Sequence, residues 1–265
     1  MSTARTREYL GSELALFAEA THWRAYWQRQ VSGFLGRQVL EVGAGIGSVT
    51  RSLCGPDIGR WVALEPDREM AAQLSKEVRD GRLPPACEIR CGTTGDLAPD
   101  EMFDTALYID VLEHIEDDTA EVARVCRHLA PGGHLIVLVP AHQALYTPFD
   151  AAIGHFRRYT MRQLLAVAAE GTTSRRARYL DSVGLLASLA NRMLLHSATP
   201  TRAQILLWDR WMVPLSRVFD PLFGYRCGKT ALAVWQKAPI DMRRAAPKRP
   251  RSLAASWPTG SSNAA

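Results

Sequence analysis

Hydrophobic residues along the chain follow two different periods. Over residues 12–35 apolar side chains recur at helical spacing, which predicts a helical segment ahead of the main domain. From residue 38 onward, short apolar runs alternate with helical patterns. Each run has the length of a buried strand, so five strands are predicted. They lie at residues 38–42, 61–64, 87–91, 103–109 and 134–139.

Helical patterns fill the segments between the predicted strands, at about 48–54, 67–79, 118–129 and 161–170. Asp67 and Thr160 are suited to cap the N-termini of two of these helices. Gly81, Gly132 and Gly171 are expected just beyond helix ends. The alternation predicts a mostly parallel, doubly wound sheet with helices on both faces.

The last third of the chain departs from this alternation. Two further strands are predicted at 174–180 and 230–235, on either side of a helical insertion at 182–223 that is rich in Leu, Trp, Met and Phe. The last residues of the chain, 238–265, include few apolar side chains and are expected to be disordered. The predicted parts are an N-terminal helical cap (1–36), one α/β domain (37–237) and a disordered basic tail (238–265).

The net charge of +5 does not indicate a nucleic-acid partner. Residues 241–265 hold five Lys and Arg residues against one Asp, so the rest of the chain is close to neutral. A basic end of this kind usually serves solubility. We therefore expect no nucleic-acid binding.

Cysteine usage and the apolar runs bear on the compartment. The five cysteines form no CxxC pair, which argues against a zinc site and a disulfide framework, and they are expected to be small buried hydrophobes. The longest near-continuous apolar run, 183–195, is well short of the roughly 20 residues that a spanning helix needs. The first residues lack the apolar segment of a signal peptide. We expect a cytoplasmic protein without a transmembrane segment, either a monomer or a homodimer.

A glycine-rich turn follows the first predicted strand. Gly43, Gly45 and Gly47 stand between a strand and a helix, where a doubly wound sheet binds ligands. Glu65 ends the second strand 22 residues after Gly43, a position from which a carboxylate can accept hydrogen bonds from both ribose hydroxyls. A tight turn without a ligand is the alternative for the glycines alone.

The same pair of features would also fit a dinucleotide, so an NAD-dependent oxidoreductase is a rival hypothesis. The dinucleotide fingerprint is GxGxxG, in which the third glycine allows close packing of helix and strand. Here the spacing is GxGxG, and Ser48 stands where that third glycine is expected. The spacing therefore disfavours a dinucleotide.

Four segments together resemble the successive motifs of class I S-adenosylmethionine-dependent methyltransferases. They are VLEVGAGIGSVT, VALEPDREM, FDTALYIDVLEHIEDD and LAPGGHLIVLVP, in the order and spacing of that family. The resemblance covers about residues 35–237. It implies a seven-stranded sheet with an antiparallel last strand, and S-adenosylmethionine as the cofactor.

The resemblance also implies which residues hold the cofactor. Glu41 and the turn residues are expected along its methionine part, Glu65 at the ribose, and Pro66 near the adenine. Family members often have an acidic residue after the third strand, but here a threonine pair fills that place, which leaves the adenine contact in doubt. The implied cofactor set is Glu41, Gly43, Ala44, Gly45, Gly47, Glu65, Pro66, Thr93, Thr94, Asp110 and Val111.

The acceptor is expected to meet the segment after the fifth strand. Residues 140–160 form a long polar loop that resembles a GHxRRYT element of small-molecule methyltransferases. A base for a hydroxyl acceptor needs a pKa near the working pH, which favours histidine. His155 is the first candidate, with His142 and His114 behind it. The expected acceptor-binding residues are Tyr146, Arg157, Arg158 and Tyr159.

An alternative for this loop is a structural clasp in which the arginines bond Asp150 or backbone carbonyls. His114 can likewise be a residue that shapes the pocket wall. Methyl transfer requires no metal ion, and Glu113 and His114 lack the second histidine of an HExxH motif. We expect no metal site.

The resulting hypothesis is methyl transfer from S-adenosylmethionine to a small-molecule acceptor, with oxygen weakly favoured, in a secondary-metabolite, sugar or lipid-related pathway. A relative that binds the cofactor but does not methylate is the second alternative. The insertion at 182–223 is either a lid over an apolar acceptor, a dimer contact, or ordinary core packing.

Overall fold

The computed structural model of the chain describes residues 16–194 and 201–239, and within them seven strands form one sheet. The strand order is β3-β2-β1-β4-β5-β7-β6. The strands are β1 (Gln38–Val42), β2 (Arg60–Glu65), β3 (Cys87–Cys91), β4 (Phe103–Ile109), β5 (Leu129–Pro140), β6 (Thr172–Leu180) and β7 (Thr230–Lys237).

Helices connect the strands and cover both faces of the sheet. A π-helical turn, Trp208–Met212, joins α8 to α9 without a break. The α-helices are α1 (Thr21–Val31), α2 (Ser48–Leu53), α3 (Arg68–Arg79), α4 (Asp118–Arg127), α5 (Pro148–Ala152), α6 (Met161–Ala166), α7 (Ser182–Leu194), α8 (Arg202–Leu207) and α9 (Val213–Leu222).

Strand pairing confirms the predicted sheet. Strands β1 to β5 pair in parallel, whereas β7 runs antiparallel to both β5 and β6. Strand β1 pairs with both β2 and β4, so the order reverses at this point and a crevice opens at the carboxyl ends of β1 and β4. The predicted ligand site lies at this switch point.

The central strands are buried on both faces, as expected for a parallel sheet covered by helices. All six residues of β2 except the first are buried. One apolar cluster contains Trp235, Tyr108 and Phe103. A second cluster contains Trp61 and Trp208 and includes side chains from α1 and the insertion. The rigid strands therefore fix the positions of the loops that follow them.

Some predicted boundaries were wrong. The helix expected over 118–129 ends at Arg127, and the helix expected to reach residue 170 ends at Ala166. Gly132 does not follow a helix end but lies inside β5 with φ +81°. This strand begins early, where Leu129 pairs with Phe103, and a register shift follows before regular pairing resumes. Asp67 and Thr160 cap helices as predicted.

Three buried carboxylates attach the insertion to the rest of the domain. Asp209 accepts hydrogen bonds from the backbone N–H groups of His22 and Trp23 at the start of α1. Asp220 accepts from the Tyr26 hydroxyl at 2.7 Å. Asp181 accepts from Trp208 Nε1 and Ser216 Oγ, both at 2.7 Å. Buried carboxylates with several donors fix geometry strongly, so the inner side of the insertion is a structural part of the domain.

Cysteine exposure differs in part from the prediction. Cys54, Cys87 and Cys126 are buried, but Cys91 is exposed because it ends the edge strand β3. Within residues 16–194 and 201–239, the structure contains no helix long and apolar enough to cross a membrane. The predicted tail beyond residue 239 and the start of the predicted N-terminal cap lie outside the described residues.

Candidate active site

The glycine-rich turn lies at the carboxyl end of β1. Gly43, Gly45 and Gly47 have φ of 71°, 55° and 76°, which L-residues with a side chain rarely adopt. The backbone N–H groups of Gly43 and Ala44 donate to the Leu64 carbonyl at 2.9 and 3.0 Å, which holds the turn against β2. The sequence therefore uses glycine here because the chain must reverse tightly beside the second strand.

Glu65 lies beneath this turn. Its carboxylate accepts the Gly45 N–H at 2.7 Å and the Asp67 N–H at 2.9 Å. Burial raises the pKa of Glu65, although these two backbone hydrogen bonds lower it. Each carboxylate oxygen keeps a second lone pair for a ligand hydroxyl. The structure thus brings together the predicted ribose carboxylate and the predicted glycine turn.

Glu41 is nearly inaccessible, with 2% of its surface exposed. Its Oε2 accepts hydrogen bonds from the Thr50 hydroxyl and from Trp61 Nε1, which join β1 to α2 and β2. Burial raises the pKa of Glu41 to about 7, against the effect of these hydrogen bonds. Glu41 therefore fixes the base of the turn.

The loop after β4 forms the other wall of the crevice. Asp110 has φ 54°, a strained value that asparagine and aspartate tolerate best. A Cβ added to Gly43 would lie 2.6 Å from Val111 Cγ2, so this loop packs directly against the glycine turn. Surrounding protein raises the pKa of the Asp110 carboxyl to about 6, although His155 and Lys229 lower it. The predicted methionine-end residues are thus next to the turn.

Thr93 and Thr94, which follow β3 on the expected adenine side, both make contacts within the protein. Thr94 is buried, and its hydroxyl donates to Glu121 in the core at 2.7 Å. Thr93 caps a short 3-10 turn by bonding Asp96. Thr94 therefore points away from the crevice. Pro66 remains exposed next to Glu65, where the resemblance placed it.

A polar cluster faces the crevice from the other side. It is formed by Glu113 and His114, which follow β4, and by Asp150 and His155 of the 140–160 loop. The imidazoles of His114 and His155 meet edge to face, with ring centroids 4.5 Å apart. Nε2 of His155 lies 3.8 Å from Glu113 Oε1. The fold thus joins residues 41 positions apart in the chain.

His155 is oriented by Asp150. Its Nδ1 lies 2.9 Å from Asp150 Oδ1, and Arg158 donates to both oxygens of the same carboxylate at 2.8 and 3.0 Å. Burial alone raises the pKa of Asp150, but the hydrogen bonds from His155 and Arg158 outweigh it and hold this pKa below its usual range. Asp150 is therefore ionised and accepts the Nδ1 proton. Nε2 makes no hydrogen bond with a described residue and lies 3.8 Å from Glu113 Oε1.

Glu113 is the least satisfied group of the cluster. It is 1% exposed, and among the described residues neither carboxylate oxygen has a hydrogen-bond partner. Burial and the nearby Asp110 raise the pKa of Glu113 well above its usual range. Burial and the neighbouring His155 lower the pKa of His114 to about 4, against a hydrogen bond to the Gly154 backbone. His114 is therefore neutral at physiological pH.

Lys229 is a neighbour of the site that the sequence reasoning missed. Its Nζ lies 3.4 Å from Asp181 Oδ2 and 3.8 Å from the centroid of the Trp208 ring. Burial lowers the pKa of Lys229, whereas Asp181 and Asp110 raise it. The residue directly precedes β7 and belongs to no motif, so nothing in the sequence indicated it.

Several predicted acceptor-side residues instead hold the loop in place. Arg157 pairs with Asp118 at 2.7 Å, and the Tyr159 hydroxyl donates to the same carboxylate at 2.7 Å. The Tyr146 hydroxyl donates to the His155 carbonyl at 2.6 Å. With the Arg158–Asp150 pair, these contacts match the clasp that the sequence left open as an alternative.

His142 is separated from the other histidines by its backbone. Its backbone has φ 65°, and its ring contacts β6 and the segment before β7. Its Nε2 donates to the Gly228 carbonyl at 2.9 Å, and the ring stacks on Tyr179 with centroids 5.0 Å apart. His142 therefore joins the loop to β6 and the start of β7.

Three side chains of the cluster could hold a metal ion. Glu113, His114 and His155 each offer one donor atom, and these atoms lie within 4.8 Å of one another. His155 comes from a loop that is 41 positions from His114 in the chain, so the spacing of neighbouring residues cannot indicate this set, and the expectation of no metal site is not supported by spacing alone.

The crevice fits S-adenosylmethionine by its own geometry. The glycine turn leaves the backbone accessible on the ligand side, and the carboxylate of Glu65 lies under it. Gly43, Gly45 and Val111 would border the methionine end, and Glu65 would hold the ribose hydroxyls. In place of a third dinucleotide glycine, Ser48 begins α2, as the sequence predicted.

Comparison with known proteins agrees with this geometry. Residues 40–137 match a family described as a methyltransferase domain. The chain is 30% identical over 105 residues to a ubiquinone biosynthesis O-methyltransferase of Bradyrhizobium sp. (strain ORS 278), with 38% of this chain and 39% of that protein covered. The chain aligns with less than two thirds of the length of the curated relatives that it matches first.

Solved structures share the fold at low sequence identity. The N-methyltransferase NodS from Bradyrhizobium japonicum WM9, in complex with S-adenosylhomocysteine, is 16% identical with a TM-score of 0.51, and 82% of this chain and 85% of that chain are covered. The cyclase SpnF is 20% identical with a TM-score of 0.56 and 80% of each chain covered. At these identities the likeness concerns the fold alone.

The family match, the strand order and the cofactor crevice all agree with the resemblance found in the sequence. The chain therefore carries a methyltransferase domain that includes residues 40–137, and its motifs and strand order are those of the class I S-adenosylmethionine-dependent kind.

Proposed function

We propose that the protein transfers the methyl group of S-adenosylmethionine to a hydroxyl oxygen of a small-molecule acceptor. The observation that carries the proposal is the Asp150–His155 pair, in which Nδ1 is bound to the carboxylate and Nε2 makes no hydrogen bond with a described residue. It lies in a polar cluster next to Asp110 and Val111, which border the cofactor crevice. A hydroxyl acceptor needs a base, and an imidazole whose Nδ1 is held by a carboxylate suits that role.

In this proposal His155 acts as the general base, and Asp150 orients it. The acceptor hydroxyl gives its proton to His155 Nε2, and the ionised Asp150 stabilises the imidazolium through the Nδ1 hydrogen bond. Arg158 keeps Asp150 ionised and in place. The cofactor supplies an already activated methyl group when bound, so the protein has to orient the acceptor and accept one proton.

Glu113 and His114 belong to the same polar cluster and have two different roles in this proposal. Neutral His114 can hydrogen-bond the acceptor without adding charge. Glu113 is buried with unpartnered oxygens, and its raised pKa makes it a hydrogen-bond donor to acceptor oxygen while it stays protonated. The cluster therefore suits a polar oxygen at the reacting end of the ligand.

The insertion supports an acceptor with an apolar body. Arg192 near the end of α7 bonds the Ala144 carbonyl in the 140–160 loop, so this helix reaches the loop that carries His155. The relative named for ubiquinone biosynthesis is an O-methyltransferase, which favours oxygen as the methylated atom. In this proposal the insertion 182–223 covers the acceptor as a lid.

The test is to label small molecules, RNA and protein in one extract. Purified protein is incubated with a cell extract and S-adenosylmethionine labelled in the methyl group, and the fractions are counted. We expect label in the organic-extractable fraction, with none above background for a Gly45→Val control. Label in RNA or protein contradicts the small-molecule acceptor. Binding of the cofactor without label in any fraction favours a non-methylating relative.

A further inference from the structure

The segment from α8 to α9 forms one continuous helix with two contrasting faces. Its inner face packs on α1 and the sheet and is buried. That face comprises Ile205, Trp208, Asp209, Val213, Ser216 and Asp220. The opposite side comprises Leu207, Trp211, Leu215, Val218, Phe219 and Leu222, all of them exposed. We call these six residues the outer apolar face.

The spacing makes this face one stripe. Leu215, Val218, Phe219 and Leu222 follow the i, i+3, i+4, i+7 pattern of one helix side. The π-helical turn at Trp208–Met212 adds one residue to a turn and brings Trp211 to the same side. Trp211 is 69% exposed and Leu222 is 73% exposed. A helix normally turns such a stripe inward, so its outward position requires an explanation.

Neighbouring elements extend the apolar surface. Helix α7 packs against α9 and exposes Leu186 and Leu189, one turn apart. Phe223 follows α9 and stacks on Phe219 with ring centroids 6.0 Å apart. Of the large hydrophobic side chains exposed in the described residues, most therefore lie in this one part of the molecule. Monomeric soluble proteins rarely expose large contiguous apolar patches without a binding role.

The exposed charges that the segment 182–226 contributes are all positive, and outside this segment the carboxylate of Glu19 pairs with Arg202 at the start of α8. Between residues 182 and 226 the basic residues are arginines, and the acidic residues are Asp209 and Asp220, both buried. Arg210, which is exposed, and Arg217, which is half-buried, lie seven residues apart at the margin of the inner face, and Arg226 follows the end of α9. None of these three forms an ion pair with another described residue. The surface is therefore apolar in the middle and cationic along its edge.

We propose that the outer apolar face docks onto the surface of a bilayer that contains anionic lipids. Leu, Trp and Phe side chains enter the region between headgroups and acyl chains, and Arg210, Arg217 and Arg226 contact lipid phosphates. The helix lies along the surface. The proposal rests on the exposed surface and its charge, and it is independent of the methyl acceptor.

A second copy of the chain is the main competing occupant. In a two-fold symmetric dimer the same patch faces itself, so the arginines of one copy would lie close to those of the other. No exposed carboxylate between residues 182 and 226 is available to compensate this repulsion. Phosphate groups of lipids do compensate it. The charge distribution therefore favours a membrane over self-association.

The test is sedimentation of the full-length protein with vesicles of phosphatidylcholine alone or with one third phosphatidylglycerol. We expect binding to the anionic vesicles that is at least tenfold stronger than to the neutral ones and that weakens in 0.5 M salt. The variant Trp211→Gln/Leu222→Gln should lose at least tenfold in vesicle affinity. The variant Arg210→Gln/Arg217→Gln should lose about tenfold on anionic vesicles only.

A matched variant controls for charge. Arg79 is exposed on α3 at the far edge of the sheet, and Arg162 is exposed on α6 on the other face of the sheet. The variant Arg79→Gln/Arg162→Gln should therefore bind anionic vesicles as the unchanged protein does. Cofactor affinity should be the same in every variant, which verifies folding. Equal binding by the Trp211/Leu222 variant overturns the proposal. So does a concentration-dependent dimer that the same variant dissociates, because it assigns the face to a second copy.

Discussion

The two halves of the domain build their parts of the site in different ways. The first half, from β1 to β5, forms the candidate cofactor crevice mainly from backbone turns and one carboxylate placed directly after strands. The second half, from residue 140 onward, contributes to the candidate acceptor side through side chains that meet only in the folded chain. The first half matches a known family, and the second half lies outside that match.

The difference lies in the range of the interactions. The Gly45–Glu65 hydrogen bond joins two adjacent strands, so its geometry follows from a short sequence pattern. The Asp150–His155 pair depends on Arg158, Thr147 and the packing of the loop against Glu113. A side-chain network tolerates new partners more readily than a backbone turn does. We therefore expect substitutions in the first half to affect cofactor binding, and those in the second to affect turnover.

The largest effect is expected for Gly45→Val. Valine is strained at the φ of 55°, and its side chain would occupy the turn that borders the cofactor. Cofactor affinity measured by calorimetry should fall more than 100-fold or become undetectable. Gly55→Val is the control, because a side chain there meets nothing within 4 Å. Equal affinity of the two variants would contradict the position of the cofactor.

The second largest effect is expected for substitutions in the half from residue 140 onward. His155→Ala should reduce turnover by about 100-fold or more while cofactor affinity stays unchanged, because a general base contributes about 10² to 10⁴. Asp150→Asn should cause a similar loss. A His142→Ala variant should retain most of its turnover, since that ring bonds Gly228 instead. Treatment with EDTA should leave the unchanged protein active, whereas inactivation would favour a metal ion at Glu113, His114 and His155.

Strands and the cofactor turn could be predicted because their signals are local. Buried strands read as short apolar runs, and the glycine turn needs residues that tolerate positive φ. The sequence indicates that the 140–160 loop belongs to the site, but it does not predict the contacts of the individual side chains. The residues of the loop do not reveal that the His142 ring contacts β6, or that Arg157 and Tyr159 share Asp118. These outcomes depend on contacts with distant segments.

The positions of Glu113 and Lys229 likewise depend on contacts between distant segments and could not be predicted from the sequence. In the sequence Glu113 is known only as the neighbour of His114, and the fold alone shows that it is buried and that its carboxylate oxygens lack hydrogen-bond partners among the described residues. Lys229 enters the site because β7 returns between β5 and β6. The outward direction of the apolar stripe was equally hidden, because periodicity defines a face but not what the face meets.

A pH-dependent effect is expected from Glu41. Folding raises its pKa from 4.5 to about 7, so within this range the folded state binds a proton that the unfolded state has released. Stability should therefore fall as the pH rises through this window, by up to about 3 kcal/mol, since each pKa unit is worth about 1.4 kcal/mol.

Glu41→Gln should remove most of this decline, as measured by urea unfolding at pH 5 and pH 7.5. The amide oxygen that this substitution introduces can still accept hydrogen bonds from Thr50 and Trp61. Glu170→Gln changes an exposed carboxyl and should leave the decline as it is. A decline of equal size in the Glu41 and Glu170 variants would show that other groups cause it.

The smallest effect is expected for Glu65→Ala. Loss of hydrogen bonds from a carboxylate to the ribose should weaken cofactor binding by roughly 1–3 kcal/mol. Glu69→Ala, which changes an exposed residue of α3, should leave the affinity unaltered. Unchanged affinity in the Glu65 variant would remove the ribose assignment. It would leave the glycine turn as the main cofactor contact.

The central claim is that the crevice at β1 and β4 binds S-adenosylmethionine. Calorimetric titration with S-adenosylhomocysteine and, separately, with NADH tests it most directly. We predict one binding site for S-adenosylhomocysteine, weakened by Glu65→Ala and lost in Gly45→Val, and no heat above dilution for NADH. Binding of NADH, or no binding of S-adenosylhomocysteine by the folded protein, would contradict the account.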